Sequence, residues 1–323
     1  MDGWRGISIL CVLAAHLLPL GPKAWQLNSA MGALGMAMFF TLSGFLITHF
    51  LLKHASVTSF LIRRIFRIVP LAWLYLFLAL FISQASMNSW LAHLLFFANW
   101  PPIQVGGITA HIWSLCVEVQ FYIGIALLIL LLRQRGLLLL PLLCLAVTFW
   151  RIFNQVQIGI ETLYRVDEIL AGCVLALVFN HRLGKWPLAF LQSMHTFPVL
   201  LLLLVACHPE GGFMNYLRPY LAAILIGATL SKPETRLAGA LNHRVLIYVA
   251  AISYALYVIH PMLADSWLGS GDTLEKYVKR PLLFASLFAL AHLSTFYFEH
   301  KWIALGKRLS GKASSATISP SAS

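Results

Sequence analysis

The sequence predicts an all-α membrane protein, a polytopic bundle of about ten transmembrane helices. Of its 323 residues, 60% are hydrophobic and 11% are charged, whereas a soluble domain is about 45 to 50% apolar and about 25% charged. Apolar runs recur from end to end, and about 20 helical residues cross a hydrocarbon layer of roughly 30 Å. We therefore expect one integral membrane domain at residues 1–305. A Ser-rich and Ala-rich tail at residues 306–323 is predicted to be cytoplasmic and disordered.

The individual spans are predicted from apolar runs that end at charges, prolines or glycines. They fall near residues 5–20, 32–52, 68–86, 113–132, 137–151, 166–180, 193–207, 219–231, 245–265 and 281–299. The first run resembles a signal peptide but is not followed by a small-x-small cleavage site, so we expect it to be retained as a span.

The distribution of charge predicts the topology and excludes some partners. The formal net charge is +12, and most Lys and Arg residues fall in segments that are inside if both termini are cytoplasmic. These residues sit singly between apolar runs, which argues against a nucleic-acid partner. The five cysteines include no CxxC pair and no metal-like spacing, so we expect small core residues and no metal site.

Polar residues inside spans are costly and therefore informative. The first span carries Arg5 at its cytoplasmic end and His16 eleven positions later. Because three helical turns take about 10.8 residues, both lie on nearly the same face, with His16 about 16 Å deeper, near mid-bilayer. This pair fits a site at depth. It equally fits a positive-inside flank and an isolated histidine that bonds to a neighbouring helix.

A second cluster, RRIFRIVP at residues 63–70, lies at the cytoplasmic end of the third span. Arg64 and Arg67 are three apart, so their guanidinium groups share one helix face and form a fork suited to phosphate. Arginines that anchor anionic lipid would look the same.

A third feature is Glu118, about one turn inside the fourth span in WSLCVE. Its carboxylate could orient or activate a histidine, and a structural ion pair is an equally good interpretation. For the remaining buried polar residues a structural role is favoured; these are Arg165, Glu168, Ser253, Tyr254, Tyr257, His260 and Glu299.

These clusters occur in order along the chain within longer motifs. The motifs are DGWRGI at 2–7, the Arg5 to His16 spacing, FFTLSGFLI at 39–47, RIFRIVPLAW at 64–73, WSLCVEVQFY at 113–122 and SYALYVIHP at 253–261. They resemble DGLRGI, R-x10-H, FFxLSGFLI, RxxRIxPxxW, WSLxxExxFY and SYxLYxxHP of the acyltransferase-3 family. The family's closing E-x-P is imperfect here, because His300 and Lys301 follow Glu299.

The resemblance implies a bacterial inner-membrane O-acyltransferase without a fused extracytoplasmic domain. The expected co-substrate is a cytoplasmic acyl-CoA, usually acetyl-CoA, and the acceptor is a hydroxyl of an extracytoplasmic carbohydrate or glycosylated molecule. Arg5, Arg64 and Arg67 are the candidates for binding the CoA phosphates. His16 is the candidate general base, and Glu118 is the candidate that orients or tunes it.

Two other classes of function remain open from the sequence. A transporter or flippase for a lipid-linked sugar or small molecule would also have many spans and buried charges. Broken spans or an internal repeat would favour it, and neither is evident in the sequence. A non-catalytic subunit that handles a lipid-linked sugar would tolerate loss of His16. The identity of the acceptor, the acyl group and the oligomeric state are left open.

Overall fold

The computed structural model describes residues 1–53, 56–103 and 105–316. Across these residues the secondary structure is helical and contains no strand, which confirms the all-α prediction. The α-helices are α1 (Asp2–Leu17), α2 (Leu27–Lys53), α3 (Val57–Ile82), α4 (Met87–Leu94), α5 (Trp113–Leu132), α6 (Leu140–Phe153), α7 (Asp167–Phe179), α8 (Trp186–Ser193), α9 (Thr196–Cys207), α10 (Met214–Leu230), α11 (Arg236–Leu241), α12 (Arg244–Ala251), α13 (Ser253–Ala264), α14 (Thr273–Leu293) and α15 (His300–Ala316).

Several of these helices are long and apolar enough to cross a membrane. In the described part of the chain there are four such segments: Lys23–Lys53, Val57–Ile82, Gly107–Phe153 and Leu274–Gly311. Two bent helix pairs raise the number to six if each is one span. All ten predicted apolar runs overlap helices, but the count of ten and the cytoplasmic termini remain predictions.

The two bent pairs are broken segments that the sequence did not reveal. Helices α8 and α9 meet at 92°, and α12 and α13 meet at 67°. Hydropathy averages over a window and carries no direction, so a sharp bend inside an apolar run leaves the profile unchanged.

Two helices begin well before the apolar runs predicted at 68–86 and 281–299, which start directly after Arg67 and Arg280. Helix α3 begins after Ser56, whose hydroxyl accepts a hydrogen bond from the Ser59 N–H at 3.2 Å, and it continues through Pro70. Helix α14 begins after Asp272, which caps it in the same way, and continues through Pro281. Side-chain caps start a helix, and proline is tolerated inside membrane helices where other groups satisfy the freed carbonyl.

The end of the chain also differs from a simple tail. Residues 306–316 of the predicted tail continue α15, while residues 317–323 lie outside the described part. The domain boundary at residue 305 remains a prediction.

The chain forms two compact units, each built from two separate stretches of sequence. Unit 1 comprises Met1–Phe50 and Arg135–Ser253, and unit 2 comprises Leu51–Gln134 and the chain from Tyr254 onward. Each unit contains its own group of buried charged side chains.

In unit 1, α2 and α7 cross with their backbones in direct contact. A Cβ atom added to Gly44 would overlap the carbonyl oxygen of Ile169, and one added to Gly172 would overlap that of Thr41. Small residues allow such close helix approach. The FFTLSGFLI motif therefore supplies a helix-packing surface at Gly44.

Helix α1 is held in unit 1 by similar close contacts. A Cβ atom at Gly3 would clash with the carbonyl oxygen of Leu241, the last residue of α11. A Cβ atom at Gly6 would clash with that of Leu246, within α12. On the other side, the Ser8 hydroxyl donates a hydrogen bond of 2.7 Å to the Gly35 carbonyl of α2. The helix that carries Arg5 and His16 is therefore fixed on two sides.

In unit 2, helix α3 carries the predicted site residues Arg64 and Arg67. The Tyr254 hydroxyl of α13 donates to the Ile68 carbonyl at 2.6 Å. The Ser59 hydroxyl donates to the Ser310 carbonyl of α15 at 3.2 Å. These bonds fix α3 against both neighbours within the unit.

Candidate functional site

Arg64 and Arg67 lie in the continuous helix α3, which confirms that they share one face. Both side chains are half-buried. The Arg64 guanidinium carbon lies 5.8 Å from the centre of the Phe60 ring and 5.7 Å from that of Tyr122. Stacking on aromatic rings holds a guanidinium group without using up its N–H donors, so Arg64 can still donate to an anion.

Glu118 of α5 belongs to the same group of side chains. It is buried, with 4% of its surface exposed. Its carboxylate acts electrostatically on Arg67 and on the neighbouring hydroxyl of Tyr122. The structure thus brings three predicted site residues, Arg64, Arg67 and Glu118, together in unit 2.

Glu299 is a member of this group that the sequence did not assign to the site. It is 5% exposed and accepts hydrogen bonds from the hydroxyls of Ser294 at 3.0 Å and Thr295 at 3.2 Å. Its charge acts on Arg67 and on Tyr254. The imperfect E-x-P motif at Glu299 is the signal in the sequence that points to it.

The local backbone explains how Glu299 is held. Residues Ser294–Glu299 form a π-helical turn between α14 and α15. In a π-helix the hydrogen bonds run between residues five apart, and single π turns are frequent at functional sites. The wider turn places Ser294 beside Glu299, five residues later, and the hydroxyls of Ser294 and Thr295 fix the carboxylate.

The resulting arrangement, which we call the arginine–carboxylate cluster, comprises Arg64, Arg67, Glu118, Tyr122 and Glu299. The charges of Glu118 and Glu299 act on Arg67, whereas Arg64 faces aromatic rings. Buried charges are costly unless opposite charges compensate them, and Glu118 and Glu299 are opposite charges that act on Arg67. A phosphate that approaches the half-buried face of α3 would meet two guanidinium groups one helical turn apart.

Arg5 and His16 lie on α1 of unit 1. Arg5 forms an ion pair of 3.9 Å with the exposed carboxylate of Asp2. The first predicted span extends to residue 20, but α1 ends at Leu17, so His16 lies in its last turn. Its side chain is exposed, whereas Leu17 is fully buried. His16 is therefore on an accessible face of its unit, and its depth in the bilayer remains a prediction.

The end of α1 is closed by a polar contact from α2. The Asn28 amide donates hydrogen bonds of 2.7 Å to the Ala15 carbonyl and 2.6 Å to the Leu18 carbonyl. The last carbonyls of a helix otherwise have no partner. The backbone on either side of His16 is thereby fixed. That His16 and Arg5 act on the same substrate as the arginine–carboxylate cluster remains a prediction.

A second polar group in unit 2 surrounds His111. Its ring centre lies 5.2 Å from that of Tyr75, 5.4 Å from Tyr257 and 5.5 Å from His260. The Tyr257 hydroxyl donates to the His111 carbonyl at 2.7 Å and lies 2.6 Å from the hydroxyl of Ser114. This packing supports the structural role that the sequence favoured for Tyr257 and His260.

His93 of α4, outside the candidate spans, is a structural histidine. Its Nδ1 lies 2.8 Å from the Ser89 carbonyl, and its Nε2 lies 3.1 Å from the Thr109 hydroxyl. Burial lowers its pKa, because the charged form is poorly solvated, and the bond to Ser89 acts in the opposite direction. Both ring nitrogens of His93 have hydrogen-bond partners within the protein. His93 is therefore not a candidate general base.

Among the described residues, no group of three or more His, Cys, Asp or Glu side chains is arranged so that it could hold a metal ion.

The fold and its clusters define a helical membrane protein with buried arginine–carboxylate groups. A sequence profile of the acyltransferase-3 family, described as an acyltransferase domain, matches residues 1–300. The chain therefore belongs to this family of membrane acyltransferases, as its motifs predicted.

Curated relatives support the assignment. OatA of Listeria monocytogenes, named a peptidoglycan O-acetyltransferase, is 24% identical over 353 residues, covering 93% of this chain and 54% of that protein. YrhL of Bacillus subtilis, provisionally named a peptidoglycan O-acetyltransferase, is 28% identical over 314 residues, covering 80% and 47%. A protein of Staphylococcus aureus strain COL, provisionally named an O-acetyltransferase, is 27% identical with similar coverage, 80% and 49%.

The chain spans about half the length of the curated relatives it matches. No solved structure shows significant similarity to it.

Proposed function

We propose that the protein is an O-acyltransferase of the bacterial inner membrane that moves an acetyl group from cytoplasmic acetyl-CoA to a hydroxyl of an extracytoplasmic carbohydrate. Family membership supports acyl transfer. The observation that carries the proposal further is the arginine–carboxylate cluster, in which Arg64 and Arg67 are held one turn apart on a half-buried face.

The arginines bind the donor in this proposal. Coenzyme A carries a pyrophosphate and a third phosphate, and guanidinium groups bind phosphate oxygens by paired, charge-assisted hydrogen bonds. The charges of Glu118 and Glu299 act on Arg67, and the rings of Phe60 and Tyr122 restrain Arg64. Prior restraint lowers the entropy lost when a ligand is bound. Arg5, near the start of α1, is a further phosphate contact.

His16 carries out the proton transfers. Its imidazole takes the proton from the acceptor hydroxyl as the oxygen attacks the thioester carbonyl. A carbon–oxygen ester bond forms and the carbon–sulfur bond breaks. The proton then passes from the imidazolium to the departing CoA thiolate, so free CoA and the acetylated carbohydrate are the products. We propose Glu118 as the group that orients or tunes His16.

The first acceptor to test is the glycan of peptidoglycan. OatA and YrhL are named for this acceptor, and its amino sugars carry free hydroxyl groups. Purified protein should be incubated with radiolabelled acetyl-CoA and peptidoglycan fragments, and the products separated by mass. Label in an ester on the glycan supports the proposal, and unlabelled glycan from a panel of bacterial carbohydrates contradicts it.

A transporter or flippase is the second candidate, because two bent helix pairs are present. Discontinuous helices commonly form substrate sites in transporters. The same purified protein, reconstituted in liposomes, distinguishes the two functions. Movement of a lipid-linked sugar across the bilayer without covalent change would favour transport.

Arg67→Ala should raise the KM for acetyl-CoA by roughly 10- to 100-fold, since a hydrogen bond to a charged group contributes about 1.5–3 kcal/mol. The kcat should change less, because the phosphates are remote from the thioester. Steady-state kinetics at varied acetyl-CoA concentration gives both constants.

Arg63→Ala is the matched control, because Arg63 lies on the same helix but donates to the Ser310 hydroxyl at 2.9 Å. Its KM should stay within about twofold of wild type. Equal KM effects in the two variants would mean that α3 contributes a general positive field and not a specific phosphate site.

A further inference from the structure

Unit 1 contains a group of buried charges that the proposed reaction does not use. Five side chains on or beside α6, α7 and α10 are at most 3% exposed; they are Arg151, Arg165, Asp167, Glu168 and Arg218. We call this set the buried ionic cluster. Substrates and lipid headgroups cannot contact side chains with so little exposed surface.

Direct contacts divide the cluster into two groups of paired side chains. Arg151 forms an ion pair with Asp167 and donates to the Gln157 carbonyl at 2.6 Å. Arg218 donates through Nε to Glu168 Oε1 at 2.6 Å, and Arg165 Nε lies 3.4 Å from Glu168 Oε2. Glu168 is therefore shared by two arginines, while Asp167 serves one.

The charges of the cluster do not balance. Three guanidinium groups, which stay protonated in proteins, face two carboxylates. The charged groups that act on Arg165 are the other four members of the cluster, namely Glu168, Arg218, Arg151 and Asp167. Besides Asp167 and Glu168, Arg218 has the thiol of Cys207 as a neighbour. A cysteine is ordinarily neutral at pH 7, since its reference pKa is about 8.5, so one positive charge remains.

The excess charge coincides with unused hydrogen-bond donors. Among the described residues, Nη1 and Nη2 of Arg218 have no hydrogen-bond partner, although the side chain is fully buried and points to Glu168 through Nε. The cluster has one guanidinium group more than it has carboxylates, and a buried charge without a counter-charge is strongly destabilising. Asp167 Oδ1 and Asn215 Oδ1 also have no partner in this part of the chain. Water could satisfy all of these atoms but would leave the net charge.

We propose that Arg218 binds a small monovalent inorganic anion, of which chloride is representative. Such an anion would accept hydrogen bonds from Nη1 and Nη2 and would bring the cluster to neutrality. It would act as a structural ligand that stabilises the packing of α7 and α10.

The test is thermal unfolding of the full-length protein in detergent at constant ionic strength, with chloride replaced by the bulky anion gluconate. A ligand that binds only the folded state raises the Tm in proportion to the logarithm of its concentration. We expect the Tm to rise by several degrees between low and high chloride. A Tm that does not depend on chloride would overturn the proposal.

Two variants and one probe locate the effect. Arg218→Gln removes the excess charge and should abolish the chloride dependence, whereas Arg182→Gln, an exposed unit 1 arginine, should retain it. Retained dependence in Arg218→Gln would place the anion elsewhere and contradict the proposal. If Arg218→Gln does not fold, bromide replaces chloride in crystals of the wild-type protein. Anomalous signal beside Arg218 supports the site, and its absence there refutes it.

Discussion

His16→Ala should lower the rate of acetyl transfer by about 10²- to 10⁴-fold, the usual contribution of a positioned general base. His16 lies on an exposed face at the end of α1, so its removal leaves no cavity in the core. The expected loss is therefore in kcat, with the Tm and the KM for acetyl-CoA close to wild type. Radiolabel transfer and thermal unfolding measure both properties on one preparation.

His195→Ala is the matched control, since His195 precedes α9 without a side-chain cap bond. It should keep wild-type activity. If His16→Ala transfers acetyl groups as fast as His195→Ala, His16 is not the base.

Gly44→Ala should prevent unit 1 from folding stably. The added Cβ would overlap the carbonyl oxygen of Ile169, which is backbone and cannot rotate away as a side chain could. Overpacking of a core commonly costs about 1–3 kcal/mol and occasionally more, and a backbone clash belongs at the upper end. We expect a large fall in Tm or loss of folded protein, and the same for Gly172→Ala, because the two glycines pack reciprocally.

Gly124→Ala serves as the control for helix propensity. Gly124 lies inside α5 with nothing within 4 Å of a built Cβ, so alanine should be neutral or slightly stabilising. If the Tm of Gly44→Ala equals that of Gly124→Ala, α2 and α7 do not cross as closely as described.

Local signals in the sequence were sufficient for several features. Hydropathy predicted helices throughout, and the run at residues 113–132 matches α5 to the residue. The spacing of Arg64 and Arg67 predicted a shared face because both lie within one regular helix. These features depend on residues close together in the chain.

Other features depend on residues far apart in sequence. Arg218 meets Glu168 fifty positions away, and no periodicity encodes that pairing. Glu299 accepts a hydrogen bond from Ser294 within a π turn, which an α-helical spacing argument does not anticipate. The two units, each assembled from separate stretches, are likewise a product of tertiary packing.

We propose that an acetyl group crosses the membrane through this protein, and a sidedness experiment tests this transfer most directly. Proteoliposomes should hold a glycan acceptor inside, with labelled acetyl-CoA supplied only outside. Molecules with their cytoplasmic face outward should produce labelled glycan inside and an equal amount of free CoA outside. Labelling only when both substrates share one compartment would contradict the claim.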